Sequence, residues 1–221
     1  MIQLYNVSKA YQKDSSALAE ITLKIPKGDF VYITGPSGAG KSTLLKLLYA
    51  AEKPSRGQIL FNGQNLTRMG GRRIPFLRRQ IGIVFQDFKL ISSRTIYENV
   101  AFPLEVQGKR RFEVSKKVYQ TLKHVGLEHK LKRYPLELSG GEQQRAAIAR
   151  ALVVDPLVLL ADEPTGNLDP EITLEIMDLF KGANARGTTV LLATHDRETI
   201  RRFPRRQIVL ENGRLVDDRT P

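Results

Sequence analysis

Apolar and polar residues alternate along Ile2-Gln3-Leu4-Tyr5-Asn6-Val7 and again along Ile21-Thr22-Leu23-Lys24-Ile25, the period-two pattern of strands with one buried face. The cluster Pro26-Lys27-Gly28-Asp29 predicts a turn. Phe30-Val31-Tyr32-Ile33-Thr34 is a continuous β-prone run, as expected of a strand buried on both faces. A glycine-rich loop follows, and residues 42–50 take up helical spacing. Gln58-Ile59-Leu60-Phe61 before Asn62-Gly63 predicts another strand ending in a tight turn. From about 90 to 152 the pattern turns helical: Val114, Val118, Thr121, Leu122 and Val125 fall three and four apart, and Gly126 marks a stop. Residues 157–160 and 189–193 are again apolar runs of strand length, with an amphipathic helix over 172–180 between them. Strand, helix, strand with buried strands predicts a parallel α/β sheet. Residues 1–221 therefore read as a single domain, with a helical segment inserted at about 90–152.

Composition adds to this picture mainly through charge. Apolar residues make up 41% and charged residues 26%, which excludes a disordered or fibrous chain. The 35 Lys and Arg exceed the 23 Asp and Glu by 12, so an anionic partner is expected: nucleic acid, an acidic membrane face or a phosphorylated ligand. With no cysteine, disulfides, thiolate metal sites and cysteine nucleophiles are excluded. The first fourteen residues carry charges where a signal peptide needs an apolar run. No apolar stretch approaches the roughly 20 residues of a membrane span, so work at a membrane would require a partner there.

Three constellations carry chemistry. Gly35-Pro36-Ser37-Gly38-Ala39-Gly40-Lys41-Ser42 fits G-x-x-x-x-G-K-[ST] between a buried strand and a helix. Its glycines let backbone N–H groups converge on phosphate oxygens. Lys41 would reach the β- and γ-phosphates, Ser42 would ligate Mg²⁺, and Thr43 would add a phosphate contact. Asp162 and Glu163 close the apolar run 157–161, at the strand end where α/β folds place ligand chemistry. Asp162 would hold Mg²⁺ through water and Glu163 would act as general base on the attacking water. Ser139-Gly140-Gly141 before a helix-prone segment fits a second anion trap, and equally an ordinary helix cap.

Leu138-Ser139-Gly140-Gly141-Glu142-Gln143-Gln144-Arg145 resembles the signature motif of the ATP-binding cassette (ABC) ATPases, and the other motifs follow in that family's order. The resemblance implies a P-loop NTPase: an ABC ATPase domain with a RecA-like parallel-sheet core, an N-terminal antiparallel β-subdomain and an inserted α-helical subdomain. It implies ATP as substrate, Mg²⁺ as cofactor, and a head-to-tail homodimer in which Ser139, Gly140, Gly141 and Glu142 meet ATP held by the other copy. By the same resemblance Tyr11 stacks on adenine, Gln86 senses Mg²⁺ and water, Asn167-Leu168-Asp169 forms a dimer-interface loop, and His195 contacts the γ-phosphate. The ATP-binding set is then Tyr11, Gly35, Pro36, Ser37, Gly38, Ala39, Gly40, Lys41, Ser42, Thr43, Ser139, Gly140, Gly141, Glu142 and Asp169, with Ser42, Gln86 and Asp162 at the metal. Glu163, His195, Gln86 and Lys41 form the catalytic set. His124 and His129 have no metal-ligand partners at suitable spacing.

Residues 38–46, 75–82 and 94–100 place the chain nearest the cell-division branch of the family, whose integral membrane partner is FtsX. The output there would be control of cell-wall hydrolases in division. The alternative is the ATPase of a lipoprotein-release or export transporter of the LolD or MacB kind. Either places the chain on the cytoplasmic face of the inner membrane, with Gln86-Asp87-Phe88-Lys89-Leu90-Ile91 as the docking surface. Arg72-Arg73, Arg78-Arg79, Arg201-Arg202 and Arg205-Arg206 would face the anionic leaflet or simply solvent. No helix-turn-helix, RNP or zinc-finger pattern appears, so no specific nucleic-acid partner is expected.

Overall fold

The computed structural model describes residues 1–12, 15–166 and 168–221. The strands are β1 (Ile2–Gln12), β2 (Ser15–Ile25), β3 (Phe30–Thr34), β4 (Arg56–Phe61), β5 (Gln64–Asn65), β6 (Ile81–Val84), β7 (Val158–Asp162), β8 (Thr189–Ala193), β9 (Arg206–Glu211) and β10 (Arg214–Arg219). The helices are α1 (Lys41–Leu48), α2 (Ile74–Arg78), α3 (Ile96–Val106), α4 (Arg111–His124), α5 (Gly140–Leu152), α6 (Pro170–Ala185) and α7 (Arg197–Arg202). The chain divides into two compact units, Met1–Arg78 with Thr189–Pro221, and Arg79–Thr188.

In the first unit an antiparallel sheet runs in the order β2-β1-β4-β5. Ile2 pairs with Ile25 and Phe61, and Leu4 with Leu23 and Ile59, so one buried face collects the apolar half of each alternating run. β1 and β2 extend beyond the stretches that alternate in sequence. Register shifts between Leu4 and Val7 and on to Gln12 change the phase of the side chains, and the simple period is lost while the pairing continues. In the same unit β3 lies parallel to both β8 and β9, and β10 returns antiparallel on β9. Val31, Tyr32 and Ile33 are fully buried, as the unbroken apolar run requires.

In the second unit β6 and β7 are parallel, with Ile81 opposite Val158 and Val84 opposite Ala161. Helices α3, α4 and α5 enclose a core of Val100, Leu104, Val118, Leu122, Ala146 and Ala149. The predicted α4 stripe packs there through Val114, Val118, Leu122 and Val125. Thr121 instead turns its hydroxyl to the Lys117 carbonyl, 2.8 Å away. Gly126, at φ +69°, follows the end of α4 as the stop signal predicts. Among the described residues no helix is long and apolar enough to cross a membrane.

Several paired arginines are engaged within the fold. Arg78 donates to the carbonyls of Tyr49 (3.2 Å) and Ala50 (3.1 Å) past the end of α1, and Arg79 donates to Val106 at 3.0 Å. Arg206 bonds Asp218, Asp29 and the Lys24 carbonyl; the Asp218 hydrogen bonds above all raise its pKa despite partial burial. These side chains tie loops and helix ends together, while Arg78 stays exposed.

Gly82 is the tightest point between β6 and α5. A Cβ there would come within 2.6 Å of the Ala151 carbonyl and 3.0 Å of Leu159. Gly82→Ala should therefore lower unfolding stability by about 1–3 kcal/mol, the usual range for an overpacked core. Urea denaturation checks this; an unchanged midpoint and slope would show that α5 can move away at no cost.

Candidate active site

The glycine loop is built by close approach. Gly35 leaves the buried end of β3 at φ +141°, and a Cβ on it would lie 2.0 Å from the Leu210 carbonyl. Gly40 turns into α1 at φ +102°, where a Cβ would meet the Ala17 carbonyl at 2.5 Å. Neither position can carry a side chain. Between them Pro36, Ser37 and Gly38 are exposed, and Ala39 is buried.

Helix α1 starts at Lys41 with Gly40 as its N-cap, so no side chain satisfies its first N–H groups, and its first turn carries no acid. Helices α3, α5 and α7 contrast with it: Thr95, Ser139 and Asp196 cap them with side-chain oxygens. An uncapped helix start behind a loop of backbone amides is suited to an anion. Lys41 is buried, and its ammonium donates to the carbonyls of Gly35 (2.8 Å) and Pro36 (3.0 Å). Ser42 is exposed beside it, and Thr43 is half-buried.

His195 belongs to the same unit. It follows β8, and the Thr194 amide is anchored to the Ile33 carbonyl at 3.0 Å. Thr34, Gly35, Pro36 and His195 line one cavity of about 950 Å³, together with Arg197 and Arg201. Asp196, next along, caps α7 by accepting from the Glu198 and Thr199 amides at 2.9 and 3.2 Å. Burial alone would raise its pKa, but hydrogen bonds from Thr199 and Glu198, with His195 nearby, bring it below the ordinary value. His195 thus sits beside a fixed carboxylate. Tyr11, on β1, is half exposed; the Lys9 ammonium covers its ring at 4.8 Å from the centroid and pairs with Glu52 at 2.8 Å.

The second unit carries the remaining candidates. Asp162 ends β7, and Glu163 follows at φ +47°, a left-handed conformation that is costly for a residue with a side chain. The turn it opens is closed by the Gly166 amide on the Glu163 carbonyl at 3.2 Å. The buried Gln144 side chain, from α5, donates to the carbonyl of Pro164 in that turn. Gln86 is exposed just past β6.

Ser139 caps α5 in a reciprocal box: its hydroxyl oxygen accepts from the Glu142 amide at 3.3 Å, and its own amide donates to the Glu142 carboxylate at 2.9 Å. Lys130 holds the other Glu142 oxygen at 3.2 Å. The Ser139 amide above all keeps the Glu142 pKa below the usual carboxylate range. Glu142 is therefore engaged in shaping the helix start. The Ser139 hydroxyl is exposed beside Gly140, and its own hydrogen bond to the Glu142 carboxylate adds to the lowering of that pKa. Gly141 is packed against Ile172 of α6. Asp169, the N-cap of α6, makes no capping bond, and Asn167 lies outside the described residues.

Three residues of this unit escaped the sequence reading. Gln144 and Arg150 act through backbone carbonyls distant in sequence, and Asn99 through those of the loop just before its own helix. The one available signal was their polarity at positions that helical periodicity assigns to the interior. Among the described residues no cluster of three or more His, Cys, Asp or Glu could hold a metal ion unaided. The expected Mg²⁺ donors are a hydroxyl, an amide and a carboxylate oxygen, a set that fits an ion keeping most of its ligands from water and phosphate.

Residues 18–166 match the ABC transporter family. The chain is 50% identical over 218 residues to the cell division ATP-binding protein FtsE of Bacillus subtilis, covering 99% of this chain and 96% of that protein. It is 52% identical over 219 residues to FtsE of Mycobacterium tuberculosis, covering 99% and 95%. Among solved structures it resembles the ATP-binding cassette MJ0796, in a dimeric post-hydrolysis state bound to ADP and Pi, with a TM-score of 0.92 and 38% identity over 100% of this chain and 98% of that one. With the family match over residues 18–166 and this structural likeness, the chain belongs to the ABC transporter family and carries its P-loop ATPase fold.

Proposed function

We propose that this chain is the ATP-hydrolysing subunit of a bacterial cell-division complex. It binds ATP with Mg²⁺, closes on a second copy of itself, and passes that motion to an integral membrane partner, FtsX. The observation that carries the catalytic part is the glycine loop joined to an α1 whose first N–H groups no side chain caps. The cell-division part is supported by the FtsE relatives, about half identical over nearly the whole chain. The homodimer is supported by the dimeric cassette with ADP and Pi.

The proposed roles follow from the chemistry of each group. Lys41 and the loop amides bind and orient the β- and γ-phosphates, and Tyr11 stacks on the base. Ser42, Asp162 and Gln86 would hold Mg²⁺, which when bound neutralises charge on the phosphate oxygens. Glu163 takes a proton from water as the water oxygen bonds to the γ-phosphorus and the bond to the leaving ADP oxygen breaks. His195 donates to a γ-phosphate oxygen. Ser139 and the Gly140 and Gly141 amides act on the nucleotide of the second copy, with Asp169 at the interface. Positioning and electrostatics supply most of the rate. With no spanning helix among the described residues, attachment to the cytoplasmic face of the membrane rests on the partner.

Glu163→Gln keeps the shape of the side chain and removes the base. ATP turnover should fall by roughly 10²- to 10⁴-fold, the usual share of a general base. Light scattering with ATP and Mg²⁺ should then show a long-lived dimer, and wild-type turnover would exclude Glu163 from the role.

Docking is tested at the loop after β6. Phe88→Ala with Leu90→Ala removes two half-buried apolar anchors. Nucleotide binding should persist while the membrane partner no longer co-purifies from detergent extracts. Full retention would move the docking surface elsewhere, and capture of a partner with a large periplasmic domain and lipoprotein-handling neighbours would favour the transporter alternative.

A further inference from the structure

The loop that follows Gln86 is held in an unfavourable form. Phe88 and Lys89 are consecutive non-glycine residues at φ +56° and +50°, and two left-handed residues in a row are rare because each Cβ crowds its own backbone. Local contacts hold them in part: the Phe88 amide donates to the Phe85 carbonyl at 3.2 Å and the Lys89 amide to the Asp87 carbonyl. The Lys89–Asp87 ion pair is exposed on both sides and screened by solvent.

Further restraint comes from two helices. Arg150, in the last turn of α5, donates through both terminal nitrogens of its guanidinium, one to the Phe88 carbonyl at 2.7 Å and the other to the Lys89 carbonyl. Fully buried Asn99, from α3, brackets the next stretch: its side-chain oxygen accepts from the Ile91 amide at 2.8 Å, and its nitrogen donates to the carbonyls of Ile91, Arg94 and Thr95 at 3.0–3.1 Å. Arg150 meets no carboxylate among the described residues. Burial pulls its pKa below the ordinary guanidinium value. Two carbonyls and the negative end of the α5 dipole are what balance its charge. A partly buried cation spent on two carbonyls of a left-handed turn is an expensive restraint if the turn has no task.

We propose that Arg150 is a positioning residue that locks residues 88–91 to α5, so that this loop and the signature cap at Ser139 move as one body. The planar guanidinium fork spans two adjacent carbonyls, which a lysine ammonium cannot do with fixed geometry. Along the helix axis Ser139 and Arg150 stand about 16 Å apart at 1.5 Å per residue, with continuous helix between them. A displacement of the loop therefore has a stiff route to the residues that address the second copy's nucleotide. The inference rests on the reading that residues 86–91 dock the membrane partner, and it names the side chain that makes the docking consequential.

The test uses the full chain as wild type, Arg150→Ala and Arg150→Lys. Amide hydrogen exchange is followed by mass spectrometry, with nucleotide affinity and capture of the co-expressed membrane partner measured alongside. In Arg150→Ala, exchange across 88–91 should quicken at least tenfold, while the α3 and α4 core amides and the ATP dissociation constant stay within twofold of wild type. Partner capture should fall in step with the lost protection. Arg150→Lys should be intermediate in both, and it carries the test alone if the alanine variant does not fold. Exchange across 88–91 within twofold of wild type would overturn the proposal. A uniform rise over α3, α4 and α5 would also overturn it, because Arg150 would then be a general stabiliser. Should the Phe88 and Leu90 double variant retain its partner, the docking reading fails while the exchange result still decides whether Arg150 locks the loop.

Discussion

A row of backbone N–H groups can receive a phosphate chain only if nothing in the protein satisfies those groups first. In the β3–α1 turn, among the described residues, only the Ala39 amide has such a bond, to the Pro36 carbonyl at 3.2 Å, and side chains are kept out at Gly35 and Gly40. Gly35 lies against the Leu210 carbonyl and Gly40 against that of Ala17, so neighbouring backbone occupies the space a Cβ would need. Much of the first unit serves this turn. β8 and β9 flank β3 and hold its end in place, and the β9–β10 turn reaches the loop through the Gly213 amide on the Ala39 carbonyl at 3.2 Å. The antiparallel sheet supplies the wall at Ala17 and Leu18.

The second unit is organised around a single rod. Helix α5 starts with the Ser139 box, contacts the Glu163 turn through Gln144, and ends on the Phe88–Lys89 turn through Arg150. Along 13 residues it touches three segments to which separate roles are assigned above. The Gln144 and Arg150 contacts each run from a side chain to a backbone carbonyl. The partner segments are thus fixed in conformation without any demand on their own side chains.

The legible part of this chain was local. The β3 run, the glycine loop, the acid pair after β7 and the α4 stripe each lie within a few consecutive residues, and sequence spacing reads them directly. The resemblance to the ABC ATPases then named the remaining site residues from motif order. Contacts from a side chain to a distant carbonyl stayed hidden. Arg78 looked like surface charge because its acceptors, Tyr49 and Ala50, have no side-chain signature. Arg150 was invisible for the same reason, Asn99 because its loop acceptors are backbone groups too, and the full length of β1 was masked by the register shifts after Leu4. Periodicity reports burial, and it is silent about which backbone groups lack a local partner.

The posture of Lys41 has an implication for ligand selection. A free lysine loses up to about 2 kcal/mol of rotamer entropy when it is immobilised. Lys41 is already buried and oriented by two carbonyls, so most of that loss occurs on folding. In the role proposed for Lys41, an arriving nucleotide would compete for an ammonium that already has two acceptors. A neutral or weakly charged group offers little over the Gly35 and Pro36 carbonyls, whereas a polyanionic phosphate gains a charge-assisted bond in exchange. The same two carbonyls that preorganise the lysine therefore act as an internal reference against which every ligand is weighed, and they bias the loop toward the most highly charged end of a nucleotide.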